Sequence, residues 1–321
     1  MTTISSRLRD LVLANPRDPA VRSVYADALI QEGDPRGSFI ILQSQLDGRI
    51  PPDRREDARR QVAELLNANR VRWLEPASWA EVRFKGGFIH AIRAKAADFL
   101  AKGSALLAVE PVLDVTLTQT TDDHVKALAA LPALARLADL SLQGSFKDAA
   151  AATLAKSPHL GSLVGLNLKG ASLGRAFAGS VANLTSLKLL CVTGMSMGDE
   201  AVTVFANKTY PLLERLYLAR NELTDEGAVA LAESRGLGAL RVLCLGGNEI
   251  TDEGVTAIAE GRGLGNLVTL ELNATGITDE GLEAIATSRT LKSLRKLKLA
   301  PAEVSRGAVE QLRKRKPVVI T

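Results

Sequence analysis

The stretches that decide the fold are LERLYLARNELTDEG from Leu213, LRVLCLGGNEITDEG from Leu240 and LVTLELNATGITDEG from Leu267. A fourth copy, LRKLKLAPAEVSRGA, begins at Leu294, so the four copies start 27 residues apart. Weaker copies begin upstream, at intervals of 24 to 26 residues, at Val112, Leu137, Leu163 and Leu187. We expect a diverged first copy from Trp79. The shared pattern, L-x-x-L-x-L-x-x-N-x-L, indicates one structural unit repeated along most of the chain.

The copy at Leu240 shows how each unit folds. Leu243 and Leu245 alternate with other residues, which predicts a short strand with one buried face. Asn248 suits the turn that follows, because its side-chain amide satisfies backbone groups that the bend leaves unpaired. The T-D-E-G run from Thr251 then opens a helix, with a capping hydroxyl and acidic residues in the first turn. One unit cannot bury its own leucines, so the units must stack.

These copies resemble the leucine-rich repeat, and the long repeat with T-D-E-G is similar to the ribonuclease-inhibitor-like subclass. The resemblance implies an α/β fold, a leucine-rich-repeat solenoid with a curved parallel sheet inside and helices outside. We assign about eight to nine repeats and a basic C-terminal cap to residues 79–321.

Residues 1–78 do not repeat, and they form the second predicted domain. Apolar spacing predicts helices over residues 7–14, 20–32, 36–46 and 54–69, separated by Pro, Gly and Asp. The run Y-A-D-x-L-x-x-x-G-D-P-R-G-x-F-I-x-L-Q, from Tyr25 to Gln43, resembles the bacterial repeat-companion domain. We therefore expect a small all-helical cap on the solenoid. In it, Asp27, Asp34 and Arg36 are expected to form a surface ion-pair cluster or to hydrogen-bond the helix junction, rather than to form a ligand site.

Composition excludes several classes of function. No apolar run approaches the roughly 20 residues that a bilayer requires, and the arginines at the start argue against a secretory signal. There are 2 cysteines and 3 histidines, and no catalytic or nucleotide-binding motif. Cys191 and Cys244 are expected about 10 Å apart with Tyr217 between them, too far for a disulfide. We expect a cytoplasmic, non-enzymatic protein with no cofactor and no metal.

Charge is unevenly distributed along the chain. Residues 1–78 have a net charge of +1 and residues 79–288 of −5, whereas residues 289–321 hold 10 basic and 2 acidic side chains. The basic run 313–316 is interpreted as a solvated end of the repeat stack, with an acidic partner or nucleic acid as alternatives.

The candidate binding surface consists of strand residues that point away from the leucine core. Tyr and Arg are the side chains that most often contribute binding energy, and they cluster in the central repeats. The predicted partner-binding residues are Arg215, Tyr217, Arg220, Arg241, Glu271, Asn273, Arg295, Lys296 and Lys298. We expect an acidic protein surface to dock there, on the concave face, without a membrane.

Three alternatives remain open. In the first, the strand face is a solvated surface with no dedicated partner. In the second, the protein regulates an enzyme, as inhibitors and GTPase-activating members of the resembled subclass do. In the third, the protein binds nucleic acid. For a GTPase activator, Arg220 is the candidate that would act electrostatically on the nucleotide. Nucleic acid is the weakest of these, because no aromatic side chains are interleaved with the basic ones.

Overall fold

The computed structural model describes residues 4–48, 50–300, 304–315 and 318–320. The chain divides into two compact units, residues 1–118 and residues 119–321. Within the described ranges, every helix is too short or too polar to span a bilayer.

The first unit begins with four helices, which confirms the helices predicted for this part of the chain. They are α1 (Ile4–Ala14), α2 (Pro19–Gln31), α3 (Pro35–Asp47) and α4 (Pro52–Leu74). Asp18 and Asp34 cap α2 and α3, each accepting a hydrogen bond of 2.8 Å from the backbone N–H two residues later. The proline after each cap fits the first helical position, where no N–H bond is needed.

A β-hairpin follows the helices, and it corrects the expectation of a repeat copy starting at Trp79. Strand β1 (Glu81–Lys85) is antiparallel to β2 (Phe88–Lys95). Gly86 and Gly87 both have positive φ angles, so they reverse the chain within the stretch that resembles a single repeat strand. The parallel series begins instead with β2, followed by α5 (Ala96–Val109) and β3 (Asp114–Thr120).

The core of the first unit explains why it extends beyond residue 78. Phe88, at the start of β2, packs in one cluster with residues of α1, α2 and α3. Phe39 of α3 likewise contacts Phe84 of β1, with ring centroids 5.5 Å apart. The helices therefore share an apolar core with the hairpin. The predicted domain boundary, between residues 78 and 79, therefore lies inside this compact unit of residues 1–118. It stays a prediction about where the repeated part of the sequence begins.

The second unit alternates helices and strands, as the repeat predicts. Its strands β4 to β11 pair in chain order, each parallel to the next. The elements are α6 (Asp122–Ala129), β4 (Asp139–Gly144), α7 (Asp148–Ala155), β5 (Gly165–Lys169), α8 (Arg175–Ser180), β6 (Leu189–Cys191), α9 (Gly198–Ala206), β7 (Arg215–Tyr217), α10 (Asp225–Glu233), β8 (Val242–Cys244), α11 (Asp252–Glu260), β9 (Thr269–Glu271), α12 (Asp279–Thr287), β10 (Lys296–Lys298), α13 (Arg306–Arg315) and β11 (Val319–Ile320). The described residues thus contain nine successive strand–helix pairs, from β2–α5 to β10–α13.

Buried leucines and asparagines hold the repeats together. The two leucines of each L-x-L, such as Leu243 and Leu245, are fully buried. Asn248 Oδ1 accepts a hydrogen bond of 2.8 Å from the Asn221 N–H of the preceding repeat. Its Nδ2 group donates to the Leu218 carbonyl at 3.0 Å. Both asparagines are therefore structural, as the sequence predicts.

A second ladder, of aspartates, lies at the helix N-termini. Asp225 accepts hydrogen bonds from the Thr251 backbone N–H at 2.8 Å and from the Thr251 hydroxyl at 2.6 Å. Asp252 repeats this arrangement with Thr278, one repeat further along. The aspartate of each T-D-E-G thus caps the helix of the next repeat, and it adds a polar link between repeats to the apolar stacking.

Candidate functional site

The register of the strands places five of the nine predicted site residues in two parallel rows; the other four, Arg220, Arg241, Asn273 and Arg295, precede or follow a strand. In the first row Arg215 pairs with Val242, then Thr269, then Lys296. In the second row Tyr217 lies between Cys191 and Cys244, and the row continues to Glu271 and Lys298. Because neighbouring strands are about 4.8 Å apart, each row is a closely spaced line of outward side chains.

Three arginines form the cationic part of this surface. Arg215, Arg220 and Arg241 are exposed, whereas Tyr217, in the second row, is half-buried. No carboxylate among the described residues forms an ion pair with any of the three. Arg220 follows β7 with a φ of +56°, and its N–H donates to the Gly246 carbonyl at 3.0 Å. We call Arg215, Tyr217, Arg220 and Arg241 the arginine patch.

The expected positive stripe does not continue unbroken toward Lys298. Lys298 Nζ lies 2.5 Å from a Glu271 carboxylate oxygen, and this hydrogen bond raises the pKa of Lys298. The Glu271 side chain is only 15% exposed. The sequence placed these two residues in one row, but only the side-chain conformations show that their charges offset each other.

The remaining predicted residues surround the patch. The Arg295 guanidinium donates to the carbonyls of Lys292 and Leu294, at 3.0 and 2.9 Å. Asn273 is exposed, and its side chain lies over Gly246, where an added Cβ would come within 3.0 Å of the amide. Of the basic run 313–316, residue 315 pairs with Glu283, and residue 316 lies outside the described residues.

The two cysteines are free thiols on this face. The register confirms that Tyr217 lies between them. Cys244 is 8% exposed, and burial raises the pKa of its thiol to about 11. The described residues contain no group of three or more His, Cys, Asp or Glu side chains arranged to hold a metal ion.

The first unit contains a buried ion pair that the sequence analysis missed. Arg36 Nη2 contacts both carboxylate oxygens of Glu110, at 2.7 and 2.9 Å, and its Nε donates to the Gly87 carbonyl. Burial raises the pKa of Glu110, while the Arg36 charge acts in the opposite direction. Asp34 pairs with Arg72 at 2.9 Å.

The predicted ion-pair cluster is wrong in its partners, whereas the predicted hydrogen bonding at the helix junction is confirmed for Asp34, whose carboxylate accepts from the Arg36 N–H at 2.8 Å. Asp27 is exposed and takes no part in this network of described residues. The available signal for the true partner was Glu110 itself, the single charged residue in the apolar stretch 103–113.

The leucine-rich-repeat family model matches residues 211–232, 240–259 and 266–286. A search among curated proteins finds no match. Solved structures that resemble the chain include a yeast Rad7–Elc1 complex (13% identity, TM-score 0.46, covering 100% of this chain and 98% of that one). A Bacteroides fragilis protein gives 17% identity, a TM-score of 0.49 and 83% coverage of both chains. An internalin from Listeria monocytogenes gives 18% identity and a TM-score of 0.37, and the match covers 68% of this chain and 69% of that one.

The family match falls on the three copies with which the sequence analysis began. The same copies form in-register parallel strands, buried leucines and a shared asparagine ladder. The segments 211–232, 240–259 and 266–286 of the chain are leucine-rich repeats.

Proposed function

We propose that the chain is a non-enzymatic scaffold that binds an acidic partner protein on its strand face, at the arginine patch. Leucine-rich repeats commonly mediate protein–protein interaction, because a stiff stack presents many side chains at fixed spacing. The observation that carries the proposal is the set of three exposed arginines that have no described carboxylate partner and flank a half-buried tyrosine.

The chemistry of the patch favours a protein with surface carboxylates. Each arginine presents a planar fork of N–H donors that matches a carboxylate. The ring of Tyr217 supplies apolar area at the centre, where binding energy usually concentrates. Complementary charge also speeds the encounter between the two proteins.

The other predicted residues form the rim of the proposed interface. Glu271 and Lys298 form an ion pair with each other, so together they contribute little net attraction for a charged partner. Their contribution would be to fix which partner groups can lie beside them. Lys296 lies in the same row as Arg215, three strands further along, with Val242 and Thr269 between them. Asn273, two residues after β9, and Arg295, directly before β10, complete the rim.

The test is a crosslinked pull-down from native lysate with the wild type and the variant Arg215→Glu/Tyr217→Ala/Arg241→Glu. A matched control, Lys156→Glu/Arg262→Glu, reverses two exposed charges away from the strands. We expect a protein that the wild type and the control capture and the folded patch variant loses. Equal capture by all three would refute docking at the patch.

Regulation of an enzyme is the alternative within the same class of protein. It is supported by the position of Arg220, exposed at the end of β7 on the edge of the patch. Loss of stimulated GTP hydrolysis in Arg220→Ala, with binding intact, would establish it, and unchanged hydrolysis would remove it. In this proposal the N-terminal helices remain a repeat-companion cap, and the protein acts in the cytoplasm.

A further inference from the structure

A cation recurs just after the helix in four successive repeats of the second unit. Lys208, Arg235, Arg262 and Arg289 are 27 residues apart, and each follows the last residue of its helix by two positions. All four are exposed. Lys316 continues the series in the sequence, 27 residues after Arg289, but it lies outside the described residues. We call the four described residues the cationic ladder.

The stacking of the repeats places the ladder along one edge of the sheet. Parallel strands all begin at the same edge, and the ladder lies in the connections that lead into these strands. Successive connections touch through their backbones. The Gly236 carbonyl accepts from the Tyr210 N–H at 3.0 Å, and a Cβ at Gly263 would lie 2.1 Å from the Ser234 carbonyl oxygen. Strands lie about 4.8 Å apart and packed helices about 8–10 Å apart, so successive cations are separated by roughly 5–10 Å.

Two open grooves join the rungs of the ladder. A groove of about 550 Å³ is lined by Lys208 and Arg235, and one of about 720 Å³ by Arg235 and Arg262. Because Arg235 borders both, the two grooves meet and form a trough along the edge. The exposed Asn207 and Thr209 also line the first groove. Arg, Lys, Asn and Thr are side chains that commonly contact the phosphates of nucleic acids.

The charge of this edge is positive and rises toward the C-terminal repeats. No carboxylate among the described residues forms an ion pair with a ladder cation. Glu233 and Glu260, the last residues of α10 and α11, offset part of the charge in their own repeats. Residues 287–296 hold 4 basic and no acidic side chains, and the last turn of α13 adds Arg313 and Lys314. The acidic residues of T-D-E-G lie at the opposite ends of the helices, so a polyanion is attracted to the ladder edge and repelled from the other.

Stabilisation of the helix dipole is the simpler account of these cations. Basic residues near helix C-termini interact favourably with the dipole, and this explains one cation after each helix. It does not explain the trough between the rungs, or the further cations Lys292 and Arg295, which precede β10 on the same edge. The dipole acts on stability alone, whereas a binding site also changes affinity, so the two roles are separable by experiment.

We propose that the cationic ladder binds a single-stranded nucleic acid through its phosphates, without reading base sequence. A regular line of single cations matches a chain that carries one charge per unit, whereas the charges of a folded acidic protein are scattered over a surface. The side chains that line the two grooves include no aromatic ring on which bases could stack, so the contacts are to the backbone. The site is separate from the arginine patch and does not rest on the proposed function.

Fluorescence anisotropy of the full-length protein with a labelled oligothymidylate of roughly 15 nucleotides provides the test. Four phosphate contacts at about −0.7 each predict that the logarithm of the binding constant falls with the logarithm of the salt concentration with a slope of about −3. We therefore expect saturable binding at about 50 mM salt that weakens roughly sixtyfold at about 200 mM salt.

Two double variants separate the ladder from the overall charge of the protein. Arg262→Gln/Arg289→Gln removes two adjacent rungs and should weaken binding about tenfold or more, with the salt slope reduced to about −1.5. Lys147→Gln/Lys169→Gln is the matched control, because it removes the same charge from exposed positions on the opposite edge, before α7 and at the end of β5. The control should bind as the wild type does. Urea unfolding of both variants measures any effect on stability separately.

Each contrary result overturns a defined part of the proposal. The absence of saturable binding at about 50 mM salt, or equal affinities of the ladder variant and the control, would refute the site. A loss of stability in the ladder variant with unchanged binding would assign the cations to the helix dipole alone. A polyglutamate peptide of the same length that competes as well as the oligonucleotide would refute nucleic acid as the occupant. A DNA duplex of the same length that competes better would refute the single strand.

Discussion

The aspartate ladder predicts that a single carboxylate stabilises the junction between two repeats. Asp252 accepts hydrogen bonds from the Thr278 N–H at 2.8 Å, the Thr278 hydroxyl at 2.6 Å and the Gly281 N–H at 2.9 Å. Asp252→Ala removes all three. Asp252→Asn keeps an acceptor for the two N–H groups and loses the bond from the hydroxyl.

The size of the effect follows from the type of contact. Removing a residue that caps a helix costs roughly 0.5–2 kcal/mol, and hydrogen bonds to a charged group are at the upper end of their range. Because the site is partly exposed, we expect Asp252→Ala to lower the free energy of unfolding by about 2 kcal/mol and Asp252→Asn by about 1 kcal/mol. The loss should be largest where α12 meets α11.

The assay is native-state hydrogen exchange combined with urea unfolding. A loss of about 2 kcal/mol makes the Gly281 amide exchange roughly thirtyfold faster. Glu253→Ala is the matched control, because Glu253 is exposed in the same first turn of α11 and shares its helix-dipole interaction. If both variants accelerate exchange equally, the aspartate acts through the dipole alone and the ladder contributes nothing.

Three further predictions concern charged and ionisable groups. Arg36→Met should lower the free energy of unfolding by about 3 kcal/mol, because it leaves the Glu110 carboxylate buried and unpaired. Adding Glu110→Gln to this variant should restore part of the lost free energy, as measured by urea unfolding. No recovery would contradict the pairing. Burial raises the Cys244 thiol pKa to about 11, so its alkylation in the folded protein should be very slow at pH 8 and accelerate as the pH approaches 11; fast alkylation at pH 8 would show the thiol to be accessible and ionised. Hydrogen bonds from Ser305 lower the pKa of Asp279, so this contact stabilises the fold above about pH 4, and the stabilisation is lost as the pH falls through the pKa of Asp279 in the folded protein. Ser305→Ala should raise the pKa of the Asp279 carboxyl group, measured by NMR titration. An unchanged pKa would contradict the assigned cause.

The repeat fold was predictable because its determinants are local and recur. The alternation at Leu243 and Leu245 identifies a strand with one buried face, and the spacing of the copies places each strand beside the next. Asn248 was predictable as a structural residue for the same reason. The aspartate ladder was missed because each bond joins residues about 26 positions apart, although the repeat itself aligns them.

The hairpin and the buried ion pair were harder to predict because their determinants are not periodic. The stretch that contains Gly86 and Gly87 aligns with the repeat pattern in sequence, and only the positive φ angles of the two glycines show that the chain turns there. Arg36 and Glu110 are 74 positions apart, and nothing in the local sequence of either residue names the other. The alternation of outward residues predicted the rows of the candidate site, but not the pairing of Glu271 with Lys298, which depends on side-chain conformation.

Site-specific photo-crosslinking tests docking at the arginine patch most directly. The crosslinker benzoylphenylalanine replaces Tyr217 in one sample and Glu233, an exposed residue at the end of α10, in a control sample. We predict a discrete crosslinked protein from position 217 that is absent at position 233 and is lost when Arg215→Glu and Arg241→Glu are added. Crosslinks from position 233 alone, or a product at position 217 that survives both charge reversals, would contradict docking at the patch.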